Sequence, residues 1–431
     1  MKCINFNRWL FTGKAAAVLA LVSASLAVST NAQATPAFAR QTGAECQKCH
    51  SPSYPRLNWT GERFLRNGFA LPKSAEELDV GFPGDEDESE DEYIETKGMQ
   101  LLKDIGKLLS VRGKFNIYER DESSSDSNSI GSPVFFAIFA SSRLAPDVPL
   151  WAEAEINTDS GEAEVHNYFV GWTNVLKYYS EDNATLLNFR AGGFTVTEWT
   201  SWSDQKRSLD SASSHPGAYR GRHRFTQVGR GLGTKTGLEY YGYKDLGFKF
   251  LDDLFWAVGG GNATGGNFDN SARTDQTEYW LVGRADFLSG SSVSFLYMDY
   301  NNLPGVPDSD VKSYTVSGNW RLKKVAELRA QYSWDNSGRG LIDDVSGYGF
   351  QGDWHFDRYW TAIMRYDTTD NGMTVNPDET QFTAALAWIP WQNIKLTASW
   401  VHELERADFS NGNPSGGEED DTYSLQLQVA M

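Results

Sequence analysis

Cysteine is almost missing from this chain, at 3 of 431 residues. Cys3 falls in an N-terminal segment with the marks of a removable leader, so Cys46 and Cys49 are left alone and a disulfide framework is excluded. Positive charge is short as well: 39 Lys and Arg face 57 Asp and Glu, and the net charge of −18 argues against nucleic acid as a partner while favouring cations. Beyond the leader no apolar run reaches the ~20 residues that a membrane-spanning helix needs. Proline is scarce, at 14. Plentiful instead are 15 Trp, 19 Tyr, 24 Phe and 40 Gly, the composition of a transmembrane β-barrel, in which only every second strand residue meets lipid.

The two remaining cysteines stand in the run Cys46-Gln47-Lys48-Cys49-His50. C-x-x-C-H is the attachment sequence of a c-type haem: thioether bonds to Cys46 and Cys49 fix the porphyrin, and His50 is then held where it can bind the iron as proximal ligand. A thioredoxin-like dithiol would need a βαβ setting, which the pattern here does not offer. One haem c is therefore the expected cofactor. Such haem is attached outside the cytoplasm, and the chain carries a matching export signal. Lys2, Arg8 and Lys14 form a basic start, Ala15 to Val28 an apolar stretch, and Ala32-Gln33-Ala34 a small-x-small cleavage site. Residues 1–34 are expected to be removed.

From about Leu108 the chain alternates strictly. Tyr314, Val316, Gly318, Trp320 and Leu322 interleave with Ser313, Thr315, Ser317, Asn319 and Arg321, and Ala326, Leu328, Ala330, Tyr332 and Trp334 with Glu327, Arg329, Gln331, Ser333 and Asp335. About sixteen such segments follow one another, most with the ~9–11 residues that a tilted transmembrane strand needs. Short connections such as Lys323-Lys324 alternate with long polar ones such as Glu405 to Asp420, as in barrels with short periplasmic turns and long outer loops. Tryptophans near strand ends, among them Trp151, Trp172, Trp280, Trp320, Trp354, Trp360 and Trp388, predict interfacial girdles. Charged residues on the polar face, including Arg112, Glu153, Glu239, Arg284, Arg321, Glu327 and Arg329, predict a watery lumen. The expected fold is all-β: a transmembrane antiparallel barrel of about 16 strands over residues 108–431 in the outer-membrane lipid. A small helical haem c domain over residues 35–107 precedes it, of a size to plug such a lumen.

Between motif and barrel, Leu57, Phe64 and Phe69 predict a short helix with an apolar face for the porphyrin. The acidic run 85–92 predicts an extended, self-repelling linker, or a dock for a cationic partner. Met99 is a candidate distal iron ligand; His166, another lumen histidine, or an iron without a sixth ligand remain open beside it.

The residues Pro36-Ala37-Phe38-Ala39-Arg40-Gln41-Thr42-Gly43, the haem motif, Leu57, Gly61, Phe64 and Gly68-Phe69 resemble the N-terminus of the fused monohaem cytochrome–porin family of bacteria that oxidise ferrous iron. That resemblance implies an outer-membrane protein that takes electrons from Fe(II) at the cell surface, releases Fe(III), and hands the electrons to periplasmic c-type cytochromes. It carries over Cys46, Cys49 and His50, and neither an iron site nor a distal ligand. Two other readings stay open at this stage: electron export to outside acceptors, and a cation-selective porin gated by its haem segment.

Overall fold

The computed structural model describes residues 37–42, 44, 46–51, 56–71, 108–121, 127–157, 163–202, 234–248, 250–263, 277–287, 290–303, 306–322, 325–337, 345–370, 379–391, 393–405, 407–408, 415–416 and 420–430. The signal segment, the acidic run and Met99 lie outside the described residues.

Three short helices come first, α1 (Ala37–Thr42), α2 (Cys46–Cys49) and α3 (Trp59–Arg66). The strands follow: β1 (Leu109–Asp121), β2 (Ser127–Ala145), β3 (Val148–Asn157), β4 (Ala163–Trp172), β5 (Asn188–Thr195), β6 (Thr234–Asp245), β7 (Leu251–Ala263), β8 (Thr277–Phe287), β9 (Ser292–Leu303), β10 (Val306–Leu322), β11 (Ala326–Ser337), β12 (Val345–His355), β13 (Trp360–Asp370), β14 (Glu379–Trp391), β15 (Ile394–Glu405), β16 (Ala407–Asp408), β17 (Ser415–Gly416) and β18 (Asp420–Ala430). Each wall strand pairs antiparallel with its neighbour in sequence, and β1 pairs with β18 to close the barrel, Arg112 opposite Ala430. β16 and β17 form a separate small hairpin in the loop before β18.

Period two sorts the residues as expected for a wall between lipid and lumen. On β11, Leu328 is 50% exposed on the outside while its neighbour Arg329 is 2% exposed inside. Val316, Trp320, Leu322 and Tyr332 share the outer face with Leu328; Ser313, Thr315, Ser317 and Gln331 are buried on the inner one. Trp172, Trp320, Trp354, Trp360, Trp388 and Trp391 stand exposed near the short-turn mouth, with the rings of Trp360 and Trp388 stacked at 5.6 Å. Trp151 and Trp280 depart from the expected girdle and point inward. Trp280 is 2% exposed and donates its Nε1–H to Glu239 at 2.8 Å, because a carboxylate on β6 offers the indole a partner that lipid cannot.

The loop lengths also differ in two places. Residues 173–187 at the short-turn mouth carry two 3-10 turns, Val175–Tyr178 and Glu181–Leu186, whereas only two residues join β9 to β10 at the opposite mouth. No described helix is long and apolar enough to cross a membrane; the strands do the crossing.

Candidate functional site

The helical segment sits inside the short-turn mouth. Its C-x-x-C-H motif is held by several hydrogen bonds. His50 N–H donates to Cys46 O at 2.9 Å, closing the turn of α2, and Asn58 N–H donates to Cys49 O at 3.0 Å. The Asn58 side chain does more: its Nδ2 donates to the carbonyls of Gln47 and Lys48, both at 3.0 Å. Its Oδ1 accepts from Gly61 N–H at 3.0 Å, capping α3. A Cβ at Gly61 would lie 2.1 Å from Cys49 O, so only glycine lets α3 pack on the motif backbone.

These residues fit a c-type haem. Cys46 and Cys49 stand i and i+3 on α2, hence on one face; both are half-buried, with half-buried His50 directly after them. Burial, helped by the charge of Cys46, pushes the Cys49 thiol up to about 12, so in the folded segment it is a neutral and poorly nucleophilic group.

Charged residues of this segment lock into carboxylates and arginines of the wall. Arg56, 0% exposed, donates to Glu327 of β11 at 3.1 Å and lies 3.6 Å from Glu62. Ser51 Oγ–H donates to the same Glu327 at 3.1 Å. Arg321 reaches Glu327 at 3.0 Å and the Leu57 carbonyl at 3.0 Å. Glu62 pairs with Arg284 of β8. Arg66 pairs with Asp286 at 2.7 Å and Asp253 at 3.1 Å, and Arg63 with Asp252 at 2.5 Å and Asp253 at 3.1 Å. Burial works against the charge on Arg56, but Glu327 and Glu62 outweigh it and raise its pKa; Asp286 and Asp253 do the same for Arg66. The lumen charges expected to line water are thus, at this mouth, partners of the plug.

The apolar side of the plug faces β3 and β4. Phe38 packs at 4.9 Å on Phe64, 4.5 Å on Phe69 and 6.0 Å on Trp151, and Phe64 and Phe69 join a core with Phe169 and Phe194 of the wall. Of Leu57, Phe64 and Phe69, expected to form an apolar helix face for the porphyrin, only Phe64 lies on α3, and Phe64 and Phe69 pack on the barrel wall instead. Phe69 has φ 66, an unusual backbone for a bulky residue, held by this burial.

A second insertion meets the plug from the other side. After β5 the chain turns inward through Val196–Trp199 and on to Trp202. Trp199 Nε1–H donates to Glu239 at 2.7 Å, and its ring lies 5.1 Å from Tyr241 and 5.0 Å from Phe255. Ser201 N–H donates to Ser294 Oγ at 2.8 Å, and Trp202 N–H to Ser317 Oγ at 3.3 Å. Arg284 joins the two insertions, donating to the Trp199 carbonyl at 3.4 Å while paired with Glu62. Tyr241 O–H donates to the Arg66 carbonyl at 3.3 Å. Sequence reasoning missed this insertion and the Asn58 clamp.

Of the other site residues expected from sequence, His166 has its backbone in the part of β4 near the long-loop mouth, away from the haem motif. Among the described residues no group of three or more His, Cys, Asp and Glu is placed to hold a metal ion.

A closed sixteen-strand barrel with an apolar belt and aromatic girdles is the architecture of a bacterial outer-membrane protein. No protein-family model matches the chain, and no curated protein matches its sequence. Among solved structures it is similar to the anion-selective porin from Comamonas acidovorans, at 14% identity and a TM-score of 0.51 over 75% of this chain and 99% of that one. It is similar also to Salmonella typhi OmpF in complex with daunomycin, at 12% identity and a TM-score of 0.52 over 74% of this chain and 97% of that one. The likeness is one of fold, an outer-membrane porin-like barrel.

Proposed function

We propose that this barrel is an outer-membrane electron-transfer protein that oxidises extracellular Fe(II) and passes the electrons to a periplasmic c-type cytochrome, using one haem c on Cys46 and Cys49 with His50 as proximal ligand. The reading follows the resemblance to fused cytochrome–porins, and one observation carries it furthest: a C-x-x-C-H turn is held by backbone and Asn58 hydrogen bonds inside the mouth of a transmembrane barrel. When bound, a haem c supplies a one-electron redox centre. The residues around the turn do the rest. Asn58 and Gly61 fix its backbone, the arginines and carboxylates fix its orientation in the barrel, and Phe38, Phe64 and Phe69 exclude water on one side. The turn lies at the short-turn mouth, the periplasmic side in barrels of this kind, which supports a soluble periplasmic acceptor. A net charge of −18 suits a cationic donor such as Fe(II) outside.

Redox titration of the purified protein, followed by stopped-flow mixing with Fe(II), tests this. A haem band that survives denaturation and is reduced by Fe(II) is expected; Cys46→Ala with Cys49→Ala should abolish both. Haem that Fe(II) does not reduce would leave the barrel without this function.

A further inference from the structure

A c-type haem with one imidazole from His50 has a second axial position, and the wall offers a histidine at the right end of the barrel. His355 is the last residue of β12, at the short-turn mouth, and is 7% exposed on the lumen face with Gln351 and Asp353. On that face Asp353 is the cross-strand partner of Glu327, and Glu327 accepts a hydrogen bond from Ser51, the residue next to His50. His355 therefore stands two residues, roughly 7 Å along the strand, from the position whose partner grips the haem motif.

The ring itself is prepared as a ligand. Its Nδ1 lies 2.9 Å from Thr361 Oγ1, a fully buried hydroxyl directly opposite on β13. Metal-binding histidines are held in this way, with one ring nitrogen donating to a neighbour so that the other keeps its lone pair for the metal. Nε2 makes no hydrogen bond among the described residues. The strand end is fixed as well, since His355 N–H donates to Val325 O at 2.8 Å. The two other histidines on described wall strands are set elsewhere. His402 faces outward beside Trp400, its Nδ1 2.9 Å from Asp421, and the His166 backbone lies towards the opposite mouth.

We infer that His355 is the distal iron ligand, so that the iron is held between a plug histidine and a wall histidine. The inference rests on the haem assignment made above. It also ties the plug to the barrel: His50, just after α2, and His355 of β12 would together hold the iron, so the site is complete only when the plug is docked. Two imidazoles give a lower potential than imidazole with methionine. Such a centre suits an iron donor whose oxidised product is removed by hydrolysis, Fe²⁺ + 3 H₂O giving Fe(OH)₃ + 3 H⁺ + e⁻, with a periplasmic cytochrome as the electron acceptor.

The test is optical and electron-paramagnetic spectroscopy of the full-length haem-loaded protein in detergent, as wild type, His355→Ala and the near-isosteric His355→Gln, with a covalent haem stain on each. Wild type should be low-spin. Both variants should keep the stain, become high-spin, bind carbon monoxide, and return to low-spin with added imidazole. His355→Met should raise the midpoint potential. A stained, low-spin protein whose spectrum is the same in both variants overturns the ligand assignment alone, as does a high-spin wild type. Absence of stain in the wild type overturns the haem reading and this inference with it.

Discussion

Asn58 joins two parts of the site through a single carboxamide, capping α3 and holding the carbonyls of the haem motif. Loss of a cap costs about 0.5–2 kcal/mol, and loss of the hydrogen bonds to two half-buried carbonyls adds about 1–2 kcal/mol. Asn58→Ala should therefore lower the stability of the docked plug by roughly 2–4 kcal/mol, read as the urea concentration at which Arg56 to Arg66 become open to trypsin; an unchanged profile would remove Asn58 from the site. The Cys49 thiol, pushed up to about 12 by burial, should resist alkylation in haem-free folded barrel and react readily in denaturant. Fast alkylation of the folded protein would mean that the segment is not docked as described. At this scale the spacing of the five motif residues could be read from sequence, and the structure adds the turn that holds them. The roles of Asn58 and Glu62 could not be, since each is an ordinary polar residue until its partners are known.

Among elements, the strands were the readable part. A wall between lipid and lumen imposes period two on every strand, and all sixteen wall strands stand where the alternation puts them, with β2 and β10 starting earlier than the pattern suggests. The inward course after β5 left no such signature. Its hold depends on Glu239, Ser294 and Ser317, contacts between strands far apart in sequence, so no local period announces it. Depth also separates outward positions that look alike in sequence. Val258 lies midway along β7 and is 45% exposed, whereas Leu328 lies near the start of β11 beside the girdle residue Trp320. Val258→Arg should destabilise by about 2–4 kcal/mol and Leu328→Arg by about 0–1 kcal/mol, in folding titrations from urea into vesicles. Equal costs at both positions would contradict the assigned depth.

The whole molecule is a barrel closed at one mouth by its own N-terminal segment. Buried ion pairs are a poor source of net stability, but removing one partner is costly because a charge is left unpaired in a dry site. They serve here to fix one orientation of the plug. Glu327→Ala, which leaves Arg56 and Arg321 to share Glu62, should cost the docked state up to about 3–5 kcal/mol and raise ion conductance in planar bilayers, where the intact protein is expected to pass little current. A wild type that conducts like an open porin would remove the plug from the account. Lumen size made a plug possible without placing it; its charge lock was not foreseen at all, because Arg56, Arg63 and Arg66 read as a solvated surface until Glu327, Asp286 and Asp253 are set opposite them. The most direct test of the central claim uses vesicles containing this protein and enclosed oxidised cytochrome c, with Fe(II) added outside. Reduction of the enclosed cytochrome is expected with haem-loaded protein and lost in Cys46→Ala with Cys49→Ala. Equal reduction with the haem-free variant, or none with the haem-loaded protein, would contradict it.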